Sequence, residues 1–160
     1  MARKGLFELV FILVMLTLML PATTHHSAIV TYSAQAQAND LLLLTDQAIA
    51  DALADGSHSS CSASNSQVQN YVNNLQNDYR AIGNDCNVDV SGIGGLNPYS
   101  GTAEVTCLKN NGNTTTYVKK RMAFNKTVSV APSGSICHVT VSDNLYSHSE
   151  TQVDYNLSYR

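Results

Sequence analysis

From its third residue the chain reads Arg3-Lys4-Gly5-Leu6-Phe7-Glu8-Leu9-Val10-Phe11-Ile12-Leu13-Val14-Met15-Leu16-Thr17-Leu18-Met19-Leu20-Pro21. Between Leu6 and Leu20 only Glu8 and Thr17 are polar, and two cations stand just before the run. A segment this apolar must be buried, yet it is short of the ~20 residues that a free membrane helix needs. Pro21 marks where such a helix kinks or leaves its apolar surroundings. Glu8 is the anomaly. A carboxylate near the start of an apolar helix costs roughly 3 kcal/mol on insertion, so it points to a functional role.

Outward from this run the helical pattern continues, with less apolar character. Ala28, Ile29, Tyr32, Ala36, Leu42, Ile49 and Leu53 keep an apolar stripe at helical spacing. Leu41 to Leu44 is a concentrated patch, expected where a stalk helix presses on a head domain. Gly56, followed by Ser57-His58-Ser59-Ser60, predicts the stop. A helix from Leu6 to Ala54 would be about 70 Å long at ~1.5 Å per residue. A second helix is expected behind a capping box of Ser64 and Gln67, with Val68, Tyr71, Val72, Leu75, Tyr79 and Ile82 on one face. Gly83-Asn84 should end it.

From Asn87 the period falls to two. Val88 and Val90 alternate, Ser91 to Pro98 is a Gly-rich turn, and Ala103, Val105 and Cys107 form one strand face. Asn110-Asn111-Gly112-Asn113 reads as a hairpin turn. Thr115 to Lys119 runs back, Met122-Phe124 and Val128-Val130 continue, and Ala131-Pro132-Ser133-Gly134 turns again. Cys137, Val139 and Val141, then Val153, Tyr155, Leu157 and Tyr159, complete an antiparallel sheet with one buried face. A long amphipathic helix is the natural cover for that face. The expected class is α+β: stalk helix, second helix, then sheet, with a head core drawing on Leu42, Ile49, Val72, Leu75, Val105, Val139 and Tyr155.

Lys4-Gly5 followed by Leu6-Phe7-Glu8 and a continuous apolar helix resembles the class III signal of type IV pilins and pilin-like proteins, the archaeal type more than the bacterial. The resemblance covers about the first 25 residues. It implies that a prepilin peptidase cuts after Gly5, with Lys4, Gly5 and Leu6 forming the processing site. Residues 1–5 would then be the leader, 6–55 the stalk helix and 56–160 the extracellular head, with 6–20 buried in membrane or filament core. Glu8 and Pro21 would serve assembly. The implied partners are copies of the same chain in a helical polymer, other pilins, the peptidase, and the membrane before assembly. Two other readings stand beside it. An ordinary secretory signal would be cut at Ala36-Gln37-Ala38, before Asn39. A simple anchor would not be cut, and either would leave a monomeric extracellular binding domain.

With 160 residues, the chain supports one modest domain besides its N-terminal helix. The net charge is −3 with no basic stripe, so nucleic-acid binding has no electrostatic footprint. Charged residues make up 13% while Asn, Ser and Thr abound, a surface suited to the outside of a cell. The four cysteines, Cys61, Cys86, Cys107 and Cys137, include no C-x-x-C pair, which argues against zinc and for two disulfides behind an export signal. Order along the chain favours Cys61–Cys86 with Cys107–Cys137. Adjacent His25 and His26 point about 100° apart on a helix. His58 is expected in a loop, His138 on the polar side of a strand and His148 in a polar segment, so no metal site is expected. No nucleophile elbow, paired carboxylates or phosphate-cradling loop appears, so neither an enzyme nor a cofactor is expected. Asn113, Asn125 and Asn156 begin sequons open to N-glycosylation outside the cell.

Overall fold

The computed structural model describes residues 32–94, 97–111, 114–145 and 150–156. Among the described residues, two helices precede an antiparallel sheet of five strands in sequential order. The first helix, α1, occupies 32–58 within the described residues. Alanine, the strongest helix former, recurs through it. Its buried positions Ala34, Ala38, Leu41, Thr45, Ile49, Ala52 and Leu53 step by threes and fours, which turns one face to the sheet. Thr45 is tolerated there because its hydroxyl donates to the Leu41 carbonyl, 2.7 Å away.

The expected stop at Gly56 is not where α1 ends. Gly56 is buried inside the helix, and a Cβ there would lie 3.3 Å from the Ser64 carbonyl oxygen. Glycine serves close approach at this point, and His58, expected in a loop, is the last helical residue. The leucine patch divides. Leu41 is buried and Leu42 partly so, while Leu43 and Leu44 stand 69% and 47% exposed.

Helix α2 spans Val68–Ala81 and ends just before Gly83 at φ +87°. It lacks the capping box, since the N-cap is Gln67 with no side-chain cap, and the Ser64 hydroxyl instead donates to that of Ser66. Val68 and Val72 are buried, with Tyr71, Leu75 and Tyr79 packed partly against the core. Ile82, expected on that face, is 73% exposed because the helix has already ended.

The strands are β1 (Cys86–Gly94), β2 (Tyr99–Asn111), β3 (Thr114–Ser133), β4 (Ile136–Asp143) and β5 (Glu150–Asn156). β3 is one strand of 20 residues that takes in the stretches 115–119, 122–124 and 128–130. Its first part pairs with β2 and its last eight residues with β4. Buried residues alternate on one face: Val88 and Val90, then Ala103, Val105 and Cys107, then Phe124 and Val128, then Cys137, Val139 and Val141. That face and the buried stripe of α1 form one core. Of the expected core, Ile49, Val72, Val105 and Val139 are buried, Leu42 and Leu75 partly so. Tyr155 stands opposite Cys137 in the β4–β5 register.

β1 is an edge strand whose outward backbone groups would be open to foreign strands. Helix α2 occupies two of them. Gln76 Oε1 accepts from Val88 N at 3.0 Å, and Arg80 Nε donates to the Cys86 carbonyl at 3.3 Å.

The cysteines join as Cys61–Cys137 and Cys86–Cys107, which corrects the pairing by chain order. Register explains it. Cys86 lies directly opposite Cys107 on β1 and β2, with Cα atoms 4.0 Å apart. The other bridge fastens the loop after α1 to β4 across 76 residues of sequence. In the loop-entropy account the long loop contributes about 4.5 kcal/mol and the short one about 3.

Candidate functional site

The residues expected to carry processing and assembly, Lys4, Gly5, Leu6, Glu8 and Pro21, lie outside the described residues, as do His25, His26 and His148. The apolar run Leu6–Leu20 lies outside them too. Among the described residues no helix is long and apolar enough to cross a membrane. None of their His, Cys, Asp and Glu side chains gather into a group that could hold a metal ion.

On the outer side of α1, Leu44 and Ala48 meet Tyr71 and Leu75 of α2 along a cleft of about 370 Å³. Asp51 and Asp78 stand at its polar rim. Burial, then the Asp55 and Asp51 carboxylates, raise the Tyr71 phenol above its ordinary 10.0. Tyr79 bridges the helices nearby, its hydroxyl donating to the Gln37 carbonyl at 3.3 Å.

Asn125 is the one sequon asparagine whose side chain is described. Its Oδ1 accepts from Asn144 Nδ2 at 2.8 Å, and the same Nδ2 donates to Thr127 Oγ1 at 2.8 Å. The sequon hydroxyl and the asparagine carbonyl are thus held together by one neighbouring amide. Nearby on the outer face, Glu104 receives Lys119 and Arg121, whose hydrogen bonds hold its carboxyl below the usual range.

The most concentrated chemistry was not among the expected sites. Lys126, the middle residue of that sequon, points into the core and is 1% exposed. Its Nζ lies 2.8 Å from Asp143 Oδ2 and 2.9 and 3.0 Å from the two carboxylate oxygens of Asp46. Asp143 is its direct cross-strand partner on β4, and Tyr99 is its partner on β2. Asp46 comes from α1, eighty residues earlier in sequence. Phe124 and Val128, two residues either side on the same strand face, make the surroundings apolar. Asp143 Oδ1 accepts from Leu145 N at 2.8 Å. Asp46 Oδ1, although close to Nζ, is buried with no hydrogen-bond partner. The sequence did carry a signal. Lys126 falls on the buried parity between Phe124 and Val128, and Asp143 extends the buried series Val139, Val141.

No known protein family, curated protein or solved structure matches the chain.

Proposed function

We propose that this chain is a structural subunit of a type IV pilus-like extracellular filament, or a minor pilin or pseudopilin of one. A continuous N-terminal stalk helix would hold it in the membrane before assembly and in the filament core afterwards. The observation that carries the reading is the Lys4-Gly5 junction set directly before Leu6–Leu20. Helix α1 adds support. It is already formed at residue 32, packs against an antiparallel sheet and carries exposed Tyr32 and Leu43. A helix buried on one side and partly apolar on the other suits packing against further helices. The disulfides agree with a head outside the cytoplasm.

The alternative, a secreted monomeric binding domain cut before Asn39, fits less well. That cut would fall inside α1 and strip fully buried Ala34 and Ala38 from the core. The deciding experiment is the N-terminal residue of the mature chain, read by mass spectrometry of membrane or filament material. Leu6 is expected, and Gly5→Trp should leave full-length precursor. A mature start at Asn39 would establish the secreted reading, and a start at Met1 or Ala2 the simple anchor.

A further inference from the structure

We propose that Lys126 and Asp46 condense into an intramolecular amide, Nζ to Cγ, with Asp143 as the proton carrier. The proposal holds whether or not the chain builds filaments.

The geometry assigns the roles. Both oxygens of Asp46 lie within 3.0 Å of Nζ, so the nitrogen is seated against the carboxyl group as a whole. Only Oδ2 accepts a hydrogen bond from Nζ, and Oδ1 is buried with no donor aligned on it. Asp143 is held differently. One oxygen is fixed by the Leu145 backbone N–H and the other by Nζ, which makes it a fixed base rather than the carbon attacked.

The reaction balances without a co-reactant. The Lys126 ammonium passes one proton to Asp143 Oδ2, and the freed lone pair attacks Cγ of Asp46. The second N–H proton leaves by the same carboxylate. Both protons end on one Asp46 oxygen, the C–O bond breaks, and that oxygen leaves as water. The third proton stays on the amide nitrogen, and Asp143 returns to its starting state. One cation and one carboxylate are consumed together.

Two physical effects favour this course. Reacting groups fixed at contact distance gain effective molarities of about 10⁵–10⁸ M over the same groups free in solution. The Lys126 and Asp46 charges are also replaced by a neutral amide, which removes the desolvation cost of that pair and leaves the amide N–H to donate to the Asp143 carboxylate. The product would lock α1 to β3, the middle strand, six residues along β4 from the half-cystine Cys137, and reductants would not open it.

The test is the intact mass of the purified full-length chain, together with tryptic mapping after denaturation and reduction. The expected result is a mass one water below that of the disulfide-bonded chain. No cleavage should occur after Lys126, and one branched species should contain both Asp46 and Lys126. Asp143→Asn should restore the missing water while both disulfides form. The wild-type mass is read without any variant, so a variant that fails to fold does not protect the proposal. Full mass with ordinary linear peptides around both residues would overturn it. A bond from Lys126 to Asp143 would overturn the assignment of Asp46, and an unchanged mass deficit in Asp143→Asn would overturn the role of Asp143.

Discussion

Gly101 shows how finely single residues are fitted inside this sheet. Its cross-strand partner is Phe124, and a Cβ at Gly101 would lie 2.5 Å from that ring and 2.7 Å from the Ser91 carbonyl oxygen. The ring could turn aside, but the carbonyl belongs to β1 and its movement would disturb the β1–β2 ladder. Gly101→Ala should therefore lower stability by about 1–3 kcal/mol, the usual cost of overpacking. Denaturant unfolding of the disulfide-bonded protein measures it, and an unchanged midpoint would show that the space exists. Lys126 teaches a second lesson at this scale. Its burial was legible in the two-residue period that identifies Phe124 and Val128, because a strand interior gives a charged residue no choice of face. The partner on α1 was not legible. Which helix residue reaches Lys126 depends on how α1 lies across the sheet, and no local pattern encodes that.

At the scale of elements, strands β1 to β4 could be read because one face is buried and the other wet, which writes alternation into the sequence. The boundaries were harder. Gly56 looked like a stop because glycine commonly ends helices, whereas here its missing side chain admits the Ser64 carbonyl. Cysteine pairing escaped chain order because register decides it: Cys86 and Cys107 end up opposite one another when β1 folds onto β2. Helix α2 is held to α1 and the sheet partly through tyrosines, and this gives the fold an alkaline limit. Burial first, then nearby carboxylates, raise Tyr71 and Tyr79, and burial raises Tyr99. A phenol whose folded value lies above its ordinary 10.0 stabilises the fold fully below that pH. The contribution is lost as pH climbs from there through the folded value. Stability should fall above about pH 10 in step with phenolate absorbance. Tyr71→Phe with Tyr79→Phe should blunt the fall. A midpoint independent of pH in that range would contradict the assignment.

At the scale of the whole molecule, the described residues and the N-terminal segment pose separate physical problems. The described residues close on themselves: helix α1 covers the sheet, α2 guards the β1 edge, and two disulfides fasten the ends of those contacts. On the proposed reading the run Leu6–Leu20 is buried in lipid or among other helices. On that reading Glu8 distinguishes the two options, since a bundle offers its carboxylate a polar partner that lipid does not. Removing one member of a buried charge pair costs about 3–5 kcal/mol, and a loss of that size at every subunit contact should stop polymerisation while leaving the remote head folded. The decisive measurement is electron microscopy of surface filaments from cells producing the processed wild-type chain or Glu8→Ala. Wild type should give filaments containing this chain. Glu8→Ala should give membrane-held, disulfide-bonded monomers with few or none. A wild-type chain found only as monomer, or normal filament numbers from Glu8→Ala, would contradict the account.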